Sequence, residues 1–166
     1  MSNITSSNNE IIKIIGFGNI MMGDDGVGIR AIEEIQKSSI FEDNNNIEVI
    51  DGGTSGVDLV FMMQQADRAI IIDAVDAGQQ TGAIVIFTPD NIKEIKKKKK
   101  GLKSFSLHDI DLSEVFELLK TLNIPVKISI VGIKPEYVGY SDKLSPIIEK
   151  NIPDIISAVE KLVNQV

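Results

Sequence analysis

The sequence predicts an α/β fold of three layers, a twisted, mostly parallel (mixed) five-stranded sheet with helices on both faces. Three observations lead there. Short, nearly continuous apolar runs recur along the chain, as expected of strands buried on both faces. Stretches with apolar residues at helical spacing alternate with them, which is the pattern of a sheet covered on both sides. At 166 residues with 43% hydrophobic side chains, the chain is sized for one domain with a sizeable core.

The elements follow in order. Residues 1–9 are polar and read as a flexible tail, leaving residues 10–166 as a single domain. Ile11–Ile15 is the first strand and ends in Gly16. From Gly26 the period changes: Val27, Ala31 and Ile35 recur with Arg30, Glu33 and Glu34 between them, an amphipathic helix. The polar loop Phe41–Asn46 leads into the strand Ile47–Ile50, closed by Asp51-Gly52-Gly53. A helix over Val57–Gln65 precedes the strand Arg68–Ile72, and Asp73 follows that apolar run. Ala83–Phe87 is the fourth strand. Asp90 is placed to cap a short helix running into the lysine tract. Asp111-Leu112-Ser113-Glu114 has the spacing of a capping box and starts a helix reaching about Leu122. Val126–Val131 is the fifth strand. Ile148, Ile152, Ile155, Val159 and Leu162 stripe a final helix, which Pro153 must kink or restart.

Composition removes several chemistries. There is no cysteine, so disulfides, thiolate zinc sites, iron–sulfur clusters and cysteine nucleophiles are excluded. The single histidine, His108, excludes a HExxH zinc-protease helix. A net charge of −7 argues against nucleic acid as a partner. The N-terminus has no apolar signal core, and runs such as Ala69–Ile72 are too short to cross a membrane. The expectation is a cytoplasmic protein with no nucleic-acid or membrane partner.

The most informative segment is Gly16-Phe17-Gly18-Asn19-Ile20-Met21-Met22-Gly23-Asp24-Asp25-Gly26-Val27-Gly28, between the first strand and the first helix. Gly16 and Gly18 fit the start of a dinucleotide fingerprint, but its third glycine position holds Met21, and two adjacent carboxylates would repel a phosphate. One aspartate could simply cap the helix. Two, beside Gly16, Gly18, Gly23, Gly26 and Asn19, exceed what a cap requires. If the strands are parallel, Asp51, Asp73 and the Asp24–Asp25 pair share one rim of the sheet. Clustered carboxylates at a rim point to a cation or to a retained proton. The competing readings are a Gly-rich turn opened by Asp51 and a loop in which Asp73 accepts backbone N–H bonds. His108, just before the capping box, is either a surface or core residue or a ligand. An imidazole with two carboxylates suits a borderline divalent ion. Metal-free acid–base work by His108 with an aspartate is the alternative. A serine triad through Ser55, Ser104 or Ser106 lacks a GxSxG elbow.

These segments together resemble the maturation endopeptidases of nickel–iron hydrogenases. The resemblance rests on Gly16 to Gly28, on Val49-Ile50-Asp51-Gly52-Gly53-Thr54, on Ile71-Ile72-Asp73-Ala74, on Ser106-Leu107-His108 and on Val131-Gly132-Ile133-Lys134-Pro135-Glu136, and it spans nearly the whole chain. It implies an endopeptidase that removes the C-terminal extension of the nickel-loaded large-subunit precursor. It places the metal contacts on Asp25, Asp73 and His108, with Asp25 where some members have glutamate. Asp51 matches a further acid near the site, in a supporting or substrate-orienting role. The catalytic set is then Asp25, Asp51, Asp73 and His108, with Asp51 or Asp24 as candidate base. The nickel would be supplied by the substrate, and cadmium or zinc could take its place in vitro. The precursor is the implied partner, and the free protein is expected to be a monomer. The alternative reading is a non-cleaving chaperone or binding module that senses nickel in the large subunit.

Lys96–Lys100 departs from the family pattern. It is either a solvated helix end or a docking patch for an acidic surface of the precursor. Deleting Lys96–Lys100 separates the two. A docking role predicts weaker precursor binding at low salt, with the difference vanishing as salt screens it. A titration of binding against ionic strength that is identical with and without the tract identifies a solvated helix end.

Overall fold

Five strands form where the apolar runs predict them: β1 Ile12–Gly16, β2 Ile47–Asp51, β3 Arg68–Ala74, β4 Ile84–Phe87 and β5 Lys127–Ile133. The structure, a computed structural model, describes residues 9–98 and 112–165. The strands make one sheet in the order β2-β1-β3-β5-β4. The pairs β1–β2, β1–β3 and β3–β5 are parallel, and β4 closes one edge antiparallel to β5. The sheet is therefore mixed and mostly parallel, as the sequence predicts.

The helices are α1 Val27–Ser38, α2 Gly56–Met62, α3 Ile92–Lys98, α4 Leu112–Thr121, α5 Pro146–Lys150 and α6 Ile152–Val163. Two cores show how they divide between the faces. Ile14, Ile70, Ile72 and Val131 pack with Ala31 and Ile35 of α1 and with Ile148, Ile155 and Val159 of α5 and α6. Ile15, Ala69, Ile71 and Ile130 pack with Leu59 of α2, Ile92 of α3 and Val115 and Phe116 of α4. Adjacent residues of β3 thus feed opposite cores, because successive side chains of a strand point to opposite faces. Arg68, at the start of β3, donates to the carbonyls of Leu162, Val163 and Gln165, which ties the end of α6 to the sheet. Among the described residues, no helix is long and apolar enough to cross a membrane.

Several boundaries differ from the sequence reading, each for a local reason. β3 continues past Ile72 through Asp73 and Ala74, because β5 supplies Gly132 and Ile133 as partners. The short helical turn Pro89–Asn91 is capped by Thr88 rather than Asp90, and the Thr88 N–H donates to Asn91 Oδ1 at 3.0 Å. The second helix stops at Met62, and Gln65 takes a left-handed φ of 62°. The C-terminal stripe restarts at Pro153, as the sequence allows, and is two helices. α6 restarts after Asn151, with Pro153 in its first turn, where the missing N–H costs nothing. Residues 1–8, Asp111 of the proposed capping box, and Lys99 and Lys100 of the tract lie outside the described residues.

The chain direction makes β1 and β3 the important pair. From β1 the chain crosses to β2 on one side, and β3 then returns to the other side of β1. Open α/β sheets place their sites at the carboxyl ends of strands flanking such a reversal. Helix α1 lies tight against this point. A Cβ on Gly28 would overlap the Ile72 carbonyl oxygen and fall 2.6 Å from that of Phe17. Gly28→Ala must therefore displace backbone and not merely a side chain. We expect a loss of about 3 kcal/mol or more, measured by urea unfolding, and an unchanged midpoint would show that α1 can shift freely.

Candidate active site at the carboxyl rim of the sheet

The register settles which carboxylates meet. Gly16 of β1 pairs with Asp51 of β2 on one side and with Ile72 of β3 on the other. Asp51, the loop after Gly16, and Asp73 consequently line up along one rim, as the parallel reading requires. The ladder extends a little beyond the strands. Phe17 N–H donates to the Ile72 carbonyl at 2.9 Å, Gly52 N–H to that of Gly16 at 2.7 Å, and Gly18 N–H to that of Gly53 at 2.9 Å. The glycine–carboxylate loop is thereby tied to both neighbouring strand ends.

Inside that loop, Gly18 has φ 142°, and a Cβ there would collide with the Asp25 carbonyl oxygen, so only glycine fits. Asn19 has a definite task. Its side-chain Oδ1 accepts the Met21 N–H at 2.9 Å, while its own N–H donates to Asp25 Oδ2 at 2.9 Å. The loop then enters a single 3-10 turn, Gly23–Gly26, that carries both aspartates into α1. The N-cap of α1 is Gly26, not an aspartate.

The adjacent aspartates have different surroundings. Asp24 is fully buried, and both of its oxygens are used by a distant segment. Oδ2 accepts the N–H groups of Glu136 at 2.9 Å and Tyr137 at 2.8 Å, and the Ser145 hydroxyl at 2.8 Å. Oδ1 accepts the Ser145 N–H at 2.7 Å. A carboxylate so committed is an anchor for the 136–145 loop rather than a base. The sequence allows Asp24 the role of a cap or of a base, because nothing local to it reveals donors more than a hundred residues away. Asp25 is 4% exposed and Asp73 is 0% exposed, so both are buried carboxylates, one in the turn that leads into α1 and one near the end of β3. Asp73 follows the alternation of Ala69 and Ile71, toward the core that includes Leu112 of α4. Asp51 differs from both. It is exposed, it accepts the Gly53 N–H at 2.9 Å in a tight turn, and the alternation of Ile47 and Val49 directs it toward the α1 side. Asp25 and Asp73 are thus buried carboxylates on this rim, and Asp51 is an outlying, solvated acid. His108 lies outside the described residues, and among the described residues no group of three or more histidine, aspartate or glutamate side chains is arranged to hold a metal.

Known proteins are similar to this chain in sequence and in fold. A family model described as "Hydrogenase maturation protease" matches residues 29–162. The chain is 32% identical over 161 residues to the hydrogenase expression/formation protein HupD of Bradyrhizobium diazoefficiens, which covers 95% of this chain and 81% of that protein. It is 28% identical over 156 residues to the hydrogenase 2 maturation protease of Escherichia coli, covering 90% of this chain and 91% of that one. Among solved structures, the hydrogenase maturating endopeptidase HybD from E. coli matches with a TM-score of 0.72 and 27% identity, over 90% of this chain and 89% of that chain.

The anchoring role of Asp24 is open to measurement. Asp24→Ala leaves buried donors of the 136–145 loop without their acceptor, and hydrogen bonds to a charged group each contribute about 1.5–3 kcal/mol. A drop of about 3 kcal/mol or more in unfolding free energy is expected. Faster amide exchange at Glu136, Tyr137 and Ser145 should accompany it. Unchanged exchange at those three amides would refute the anchor.

Proposed function

The chain belongs to the hydrogenase maturation protease family, and we propose that it removes the C-terminal extension of a nickel-loaded nickel–iron hydrogenase large-subunit precursor. It is a hydrolase of the endopeptidase class. The observation that carries the reading is the pair of buried carboxylates, Asp25 and Asp73, at the point where the strand order reverses. Burial disfavours a charged carboxylate unless hydrogen bonds, a cation or a proton compensate it. Two such groups, one in the turn that leads into α1 and one near the end of β3, fit a site that accepts a cation brought from outside.

The donor set suits the nickel of the substrate. Asp25 and Asp73 supply oxygen, His108 would supply nitrogen, and no thiolate is present in the chain. Such a set binds borderline divalent ions without committing to one, so cadmium or zinc could stand in for nickel in vitro. When bound, the metal would polarise the scissile carbonyl or acidify a water. The chain's own residues hold and orient. Asn19 fixes Asp25 through the loop, the β3–β5 ladder fixes Asp73, and exposed Asp51 orients the incoming peptide from the neighbouring strand end. The free protein acts as a cytoplasmic monomer and meets its partner as a loaded precursor.

Mass spectrometry of nickel-loaded and nickel-free precursor after incubation tests this. Only the loaded form should lose its extension. Asp73→Asn and His108→Ala should each reduce cleavage more than about 100-fold while the circular dichroism spectrum is retained. Full cleavage by either variant overturns the three-ligand site. Binding without any cleavage by the wild-type chain would identify a nickel-sensing chaperone instead.

A further inference from the structure

Beside the two buried carboxylates lies a surface that the proposed chemistry does not use. Of the twelve exposed large apolar side chains among the described residues, five sit on two segments far apart in sequence: Ile20 and Met21, and Tyr137, Val138 and Tyr140. The backbone stitches these segments together. Gly23 N–H donates to the Ser141 carbonyl at 2.8 Å, Ser141 N–H to that of Met21 at 3.1 Å, and Asp24 N–H to that of Tyr137 at 2.9 Å. Met22 and Ser141 form an isolated parallel bridge. The Asp24 carboxylate locks the far side of the same loop. The result is a double-loop lip whose backbone is fixed and whose apolar side chains face outward, with Tyr140 86% and Met21 48% exposed.

The geometry points to this lip as the docking surface for the folded body of the hydrogenase large-subunit precursor. The inference rests on the endopeptidase reading of the Asp25–Asp73 site and deepens it. The lip is continuous with that site, since Met21 and Asp25 belong to one loop and Asn19 hydrogen-bonds into both. A substrate whose metal reaches carboxylates only 4% and 0% exposed must press against whatever borders them. On the Asp25 side, that border is the lip. Contiguous exposed apolar residues mark interaction sites, and tyrosine and methionine are enriched in them. A backbone already ordered by hydrogen bonds loses little entropy on binding, so the apolar gain is realised as affinity.

The test compares wild-type chain, the double variant Met21→Ser/Tyr140→Ser, and the control Leu122→Ser, an exposed apolar residue just after α4 at the opposite rim. Binding to purified nickel-loaded precursor is followed by biolayer interferometry, and cleavage by mass spectrometry. The double variant should weaken Kd and raise KM about tenfold or more, with kcat within about twofold, and Leu122→Ser should change neither. Cleavage by the wild-type chain with Kd and KM unaltered in the double variant overturns the docking lip and leaves the endopeptidase reading standing. Patch-dependent binding by a wild-type chain that never cuts supports the lip and overturns the endopeptidase reading. Sedimentation showing that the wild-type chain dimerises through these residues, and the double variant does not, assigns the lip to self-association and also overturns it.

Discussion

The carboxylate of Asp24 is the constraint on which the rest of the site depends. It takes four donors from a segment at the other end of the chain and leaves no oxygen for chemistry. Its removal would free the 136–145 loop and, through the shared backbone contacts, the turn that presents Asp25. A charge is costly to bury, and this one is tolerated because both of its oxygens are occupied. Adjacent identical residues in the sequence thus have different surroundings, Asp24 holding the 136–145 loop and Asp25 accepting the Asn19 N–H within its own loop.

The two proposed oxygen ligands are held by different means. Asp73 sits in a strand, in register with Gly132, so its backbone position is set by the sheet ladder. Asp25 sits in a 3-10 turn and is set by Asn19, by the tight passage at Gly18 and by the packing of α1 against Ile72. Sites held by regular elements are the more rigid, and loop-borne groups need such supporting contacts to match them. The glycines of the motif have a physical reason here. At Gly18 and Gly28 there is no room for a Cβ, because a carbonyl oxygen occupies the place.

The frame was legible in the sequence wherever one period dominates over a whole element. Ile11–Ile15, Ile47–Ile50 and the Val27–Ala31–Ile35 stripe each announce themselves, and the rim position of Asp51 and Asp73 follows once the strands are parallel. What sequence could not supply is the partner of a group far along the chain. Asp24 looks locally like a cap or a base, and only the fold brings Ser145 to it. The extension of β3 through Asp73 likewise depends on β5, and the cap at Thr88 depends on Asn91 folding back. The separation of Asp51 from Asp73 is a matter of pleat parity, which turns on a single residue of register.

The lip is joined to the motif loop almost entirely by main-chain N–H and carbonyl groups, with one buried carboxylate behind it. Its outward side chains take no part in that joinery. Substitutions at Ile20, Met21, Val138 or Tyr140 can therefore alter the texture of the surface without moving the loops that carry it. Loops normally trade adaptability against precision, and here the two are assigned to different atoms. A surface built this way can change one exposed side chain at a time while the turn that carries Asp25 stays fixed.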